Sequence, residues 1–115
     1  MRIFSVSVLC VLLLSACGSD STDEETRYDK IAKLTGDSAN GKAVYDSNCA
    51  GCHGADGKSG AAGPNLVEGA LTALTVAQMA QAVVDGKSVM PAFTQLSNQE
   101  VADVVSYVKG PLAGN

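Results

Sequence analysis

Three stretches of the chain carry apolar residues at helical spacing, separated by polar connectors rich in glycine. The first runs from Ser38 to about Asn48, with Asp37 placed as its N-cap. Gly41 in its interior costs about 1 kcal/mol relative to alanine. A glycine there predicts that another helix crosses closely, with Tyr45 one turn later filling the space beside it. The second stretch, Val76 to Asp85, has the stripe Val76, Met79, Ala80, Val83 and Val84. Thr72 or Thr75 is its predicted cap, and Gly86 its end. The third runs from Asn98 to Lys109, with Val101, Val104, Val105 and Val108 inward. Ser97 and Glu100 form a capping box before it, and Gly110-Pro111 stops it. A shorter segment, Tyr28 to Leu34, fits one helical turn with Ile31 and Leu34 packing inward. No confident strand and no internal repeat is present, so the pattern predicts an all-α domain.

The connectors and the N-terminal region read differently. Gly54 to Gly63 is rich in glycine and is predicted as loop, followed by a fixed turn at Gly63-Pro64-Asn65-Leu66. Arg2, the apolar run Ile3 to Leu14 and the small pair Ser15-Ala16 have the form of an export signal. That run is too short to span a bilayer, which takes about 20 residues. Leu14-Ser15-Ala16-Cys17 resembles the bacterial lipobox, which implies lipidation of Cys17 as the mature first residue. Ordinary secretion with a free Cys17 is the alternative. Gly18 to Glu25 is polar and acidic, which fits a disordered tether. The expected organisation is therefore a signal over residues 1–16, a lipidated acidic tether over 17–36, and one domain over 37–115. The protein is expected to be exported and anchored to the periplasmic face of a bacterial membrane. Gly18 after the cysteine, in place of aspartate, favours the outer membrane if the cell is Gram-negative.

Composition narrows the function classes. The 115 residues, with 4% aromatic content and no tryptophan, make a marginal core for a chain of this size. The net charge is −4 with no basic stripe, which argues against nucleic acid as a partner. The carboxylates are scattered over linker, loops and helix surfaces, so no acid–base constellation stands out and the chain reads as a non-enzyme.

The chemistry lies in Cys49-Ala50-Gly51-Cys52-His53. A C-x-x-C-H run reads as a c-type haem attachment site. Two thiols three positions apart can bond the two vinyl-derived carbons of one porphyrin, and the next histidine can reach the iron. A thioredoxin-like pair would sit near a βαβ pattern, and no β-branched run precedes Cys49. A zinc site wants four ligands, and His53 is the only histidine of the chain. A Cys49–Cys52 disulfide gives His53 no role. The Pro64 carbonyl could accept Nδ1–H of His53 and leave Nε2 for iron, although turn chemistry also explains Pro64.

The other face of the iron separates function classes. Met79 lies in a helical stripe and is most economically a core residue. Met90 lies outside any helical pattern, in Gly86-Lys87-Ser88-Val89-Met90-Pro91, with Pro91 stiffening the backbone after it. Met90 is thus the candidate sixth ligand, or else a plug in the crevice.

Together these residues resemble a class I cytochrome c of the small bacterial type. The resemblance rests on Gly41, Tyr45, Cys49-x-x-Cys52-His53, Gly63-Pro64-Asn65-Leu66, Met90-Pro91 and a last helix bearing Tyr107. It implies three to five helices wrapped around one haem c, with thioether bonds at Cys49 and Cys52 and axial ligation by His53 and Met90. It also implies that the first and last helices cross, bringing Gly41 and Tyr45 against Val104 and Tyr107. The implied function is one-electron transfer by a monomer that docks transiently with redox proteins at the haem edge. The rival readings are a haem peroxidase and a gas or redox sensor, both of which need a labile sixth ligand.

Overall fold

The computed structural model describes residues 24–115, so the export signal, Cys17 and the start of the tether lie outside the described residues. Five α-helices follow in order: α1 (Arg27–Ala32), α2 (Ser38–Asn48), α3 (Ala50–His53), α4 (Val76–Asp85) and α5 (Asn98–Lys109). Short 3₁₀ turns occupy Ala70–Ala73 and Pro111–Ala113. No sheet forms among the described residues; the sole β-type pairing there is an isolated bridge between Lys87 and Met90.

The caps explain where the helices begin. Asp37 accepts from the backbone N–H of Ala39 and Asn40, which opens α2. Thr75, rather than Thr72, caps α4, and Gln78 returns the bond to complete a capping box. Thr72 instead bonds the Gly69 carbonyl within the 3₁₀ turn. Ser97 and Glu100 do for α5 what Thr75 and Gln78 do for α4.

The core is built on the crossing of α2 and α5. A Cβ added at Gly41 would lie 1.9 Å from the Asp103 carbonyl oxygen and 2.9 Å from Tyr107 Cβ, so the two backbones touch there. Beside that contact the ring of Tyr45 meets Tyr107 in a tilted pair with centroids 5.4 Å apart. Asp103, only 3% exposed, fixes the register, because its carboxylate accepts from the Asp37 N–H at 2.7 Å and from Gln99 Nε2 at 2.8 Å. The expected meeting of Gly41 and Tyr45 with Tyr107 is observed, and the closest partner of Gly41 is the Asp103 backbone. Gly41→Ala must force the helices apart, and is expected to destabilise the protein by about 3 kcal/mol or more. Thermal or denaturant unfolding of that variant beside the wild type measures this.

At the N-terminal side the structure corrects two expectations. Thr26 and Asp29 form a capping box, and α1 packs on α4 and α5 with Ile31 fully buried. The packed body therefore starts before Gly36, and the tether ends earlier than residue 36. Leu34, by contrast, is 40% exposed and does not pack inward. The reason is local: α1 stops at Ala32, so Leu34 leaves the helical stripe that Ile31 follows.

Candidate haem site

Helix α2 delivers the chain into the motif through the bond from the Cys49 N–H to the Tyr45 carbonyl, at 2.8 Å. The next turn, α3, carries Cys52 and His53. Both thiols are free; Cys49 is half-buried and Cys52 exposed. Burial, with a smaller contribution from the neighbouring Cys52, pushes the Cys49 thiol up to about 11.

His53 is 7% exposed and its Nδ1 lies 2.9 Å from the Pro64 carbonyl oxygen. A carbonyl can only accept, so Nδ1 carries the hydrogen and Nε2 keeps a free lone pair. The loop 54–63 holds this arrangement by close approach. The Gly63 N–H bonds the Cys52 carbonyl at 2.7 Å, and the Gly60 N–H bonds that of His53 at 3.2 Å. A Cβ on Gly63 would lie 2.5 Å from Nδ1, and one on Gly60 2.0 Å from the Cys52 carbonyl oxygen. Only glycine fits at either place. Tyr45 Oη donates to the Gly54 carbonyl at 2.7 Å, tying the end of α3 back to α2.

Two polar side chains hold the loop, one of them within the turn that the sequence marks at Gly63-Pro64-Asn65-Leu66. Asn65 Oδ1 accepts from the N–H groups of Val67 and Glu68, each at 2.9 Å, which fixes the turn that presents the Pro64 carbonyl. An asparagine directly after that proline was the signal available. Asp56 accepts from Ser59 Oγ and from the N–H groups of Lys58 and Ser59, and these bonds hold its carboxyl down to about 2. A depressed folded value means a contribution present above the ordinary carboxylate range and lost as pH falls towards 2. The wild type should therefore lose melting temperature between pH 4 and 2 more steeply than Asp56→Asn, in a thermal melt series run across that window.

Met90 arrives on a different segment. Gly86 ends α4 with φ of 75°, and the chain turns back through Ser88, whose φ is 56°. Lys87 and Met90 exchange backbone bonds at 3.0 and 2.9 Å, and the Phe93 N–H bonds the Val83 carbonyl at 2.9 Å. Met90 is half-buried, whereas Met79 is buried in the core of α4. Val89, next to Met90, is 88% exposed.

The surroundings fit a covalently held haem. Cys49, Ala50, Leu66, Leu74, Val76, Val83 and Phe93 pack against the core yet stay only half-buried, an apolar collar that a flat apolar ring would cover. Among the described residues no three His, Cys, Asp or Glu side chains converge to hold a metal ion.

Comparison with known proteins agrees with this geometry. The family described as "Cytochrome C oxidase, cbb3-type, subunit III" matches residues 36–108. Cytochrome c-551 of Bacillus subtilis (strain 168) is 37% identical over 68 residues, a match spanning 59% of this chain and 59% of the relative. Cytochrome c6 of Chlorolobion braunii is 34% identical over 85 residues, covering 69% of this chain and 96% of the relative. The crystal structure of cytochrome c6 from the diatom Phaeodactylum tricornutum superposes with a TM-score of 0.56 at 32% identity, over 67% of this chain and 95% of that one. Cytochrome cL from Hyphomicrobium denitrificans shares the fold, with a TM-score of 0.58 at 23% identity over 72% of this chain and 50% of that one. From motif, helices and relatives together, this chain belongs to the cytochrome c family, as a small c-type cytochrome of the all-α class I fold.

Proposed function

We propose that this chain is a one-electron carrier, with one haem c bonded to Cys49 and Cys52 and its iron held by His53 and Met90. The observation that carries the reading is the His53–Pro64 contact, which leaves one imidazole nitrogen ready as a ligand beside two free thiols. When bound, the haem supplies a one-electron iron couple; the rest is positioning by this chain. Cys49 and Cys52 fix the ring edge against α3. Pro64, itself held by the Asn65 turn, sets the tautomer and direction of His53. Met90, presented by the Lys87 turn, offers a soft thioether that favours the reduced iron and raises the potential. With His53 and Met90 both holding the iron, a bound haem would offer no open position to peroxide or a diatomic gas.

Partners are redox proteins that dock weakly over a small area where the ring edge is exposed. The exposed Cys52, Ala61, Ala62, Val89 and Pro91 mark the rims of that surface. Export and a lipid anchor on Cys17, facing the periplasm, remain part of this reading, carried by the sequence of residues 1–17. Among the described residues no helix is long and apolar enough to cross a membrane. Radiolabelled palmitate fed to expressing bacteria is expected to label the wild type and to leave Cys17→Ala unlabelled; label on both would remove the anchor from the account.

The Pro64 bond has its own test. Asn65→Ala loosens the turn, so the imidazole becomes a weaker donor to oxidised iron; the variant is expected to raise the reduction potential and broaden the imidazole proton resonances of His53, while the haem stays covalently bound. Unchanged resonances would mean that the turn is set without Asn65.

A further inference from the structure

One helix holds both ends of the segment that carries Met90. At its start, Tyr28 Oη of α1 donates to the carboxylate of Asp85, the last residue of α4. At its far end, the adjacent Arg27 donates from Nε to Asn98 Oδ1 at 2.7 Å and from Nη2 to the Leu96 carbonyl at 3.1 Å. Ile31, fully buried, roots the helix in the core between α4 and α5. Between those ends the segment has few hydrogen bonds, its apolar anchors being the buried Leu96 and the half-buried Phe93. Its internal bonds are the Lys87–Met90 pair and the Leu96 N–H to the Phe93 carbonyl, with one bond from Phe93 back to α4. Where Met90 sits therefore depends on how firmly the two ends are held.

We propose that α1 is a clasp on this segment, with Arg27 and Tyr28 as positioning residues that set how readily the Met90 thioether leaves the iron. The inference rests on the assignment of Met90 as axial ligand. The physical argument is one of local opening. A foreign ligand binds the iron only in the fraction of molecules whose Met90 has swung away, so its apparent affinity scales with that fraction. A segment with few bonds of its own opens as a unit with whatever secures its ends. Removing the clasp raises the open fraction and leaves α2, α3 and the haem motif untouched.

The test uses the full-length haem-loaded protein, oxidised, with imidazole as the probe ligand. The wild type is expected to show the long-wavelength thioether–iron band. The double variant Arg27→Gln, Tyr28→Phe should keep that band at neutral pH but bind imidazole roughly tenfold more tightly, the effect of losing a few modest hydrogen bonds. Amide exchange at Met90 and Phe93 should quicken in the same variant. Asp37→Ala, which removes the α2 cap and touches neither end of the segment, should lower the melting temperature without changing imidazole affinity. If the double variant does not fold, Tyr28→Phe alone should give a smaller shift in the same direction. Wild-type affinity in the clasp variants, or an equal rise in Asp37→Ala, overturns the clasp while the Met90 assignment stands. A wild type without the band overturns the assignment and the clasp with it, and that result is read on the unaltered protein alone.

Discussion

Replacing Cys49 and Cys52 together by alanine is expected to abolish covalent haem: denaturing electrophoresis stained for haem peroxidase activity should show a band for the wild type and none for the double variant. The expectation follows from the state of the two thiols. They are unpaired, lie three residues apart with Cys49 at the junction of α2 and α3 and Cys52 within α3, and differ in exposure, with Cys49 half-buried and Cys52 open to solvent. Burial pushes the Cys49 thiol up to about 11, and both thiols stand free of a disulfide. Each sulfur is then free to form its own bond. A single replacement should leave one thioether, so haem stays attached with a shifted absorption maximum. The double variant should also melt lower, because the collar of half-buried apolar side chains would lose the ring that covers it. Haem retained after denaturation in the double variant would contradict the attachment.

Met90→Ala carries the second large effect. The thioether is a soft ligand that favours reduced iron, so losing it is expected to lower the reduction potential by on the order of a tenth of a volt or more. The same change should erase the thioether–iron band and open the reduced protein to carbon monoxide. Met79→Leu serves as the contrast. Met79 is buried in the apolar stripe of α4, and a near-isosteric swap there should cost under about 1.5 kcal/mol and leave the potential in place. If Met79→Leu moved the potential and Met90→Ala did not, the two methionines would have to exchange roles.

Much of this arrangement is legible in the sequence itself. The helices α2, α4 and α5 announce themselves because their stripes are apolar at helical spacing and their caps are short polar residues with fixed partners. Gly41 signalled a crossing, since a helix keeps a glycine inside only where something presses against it. What stayed hidden depended on long-range polar contacts. Asp103 reads as one more surface carboxylate of α5, and only the fold reveals it buried against the Asp37 N–H. Arg27 and Tyr28 lie just past the acidic run, at the start of a short predicted turn, and nothing in the local pattern marks that they reach residues far along the chain. The Thr26–Asp29 capping box was in plain sight, but a helix that short earns its stability from packing rather than propensity. Leu34 shows the reverse error: an apolar residue at the right spacing means nothing once the helix has already ended.

The central claim is that this chain holds its iron from both sides and passes single electrons. An optical redox titration of the full-length exported protein tests it most directly. The account predicts one reversible wave with a slope of about 59 mV per decade, the value for a single electron. The thioether–iron band of the oxidised form should vanish along the same curve that the Soret shift follows. A protein with no Soret absorption, or one whose wave is complete without any such band and whose reduced form takes up carbon monoxide, would contradict it.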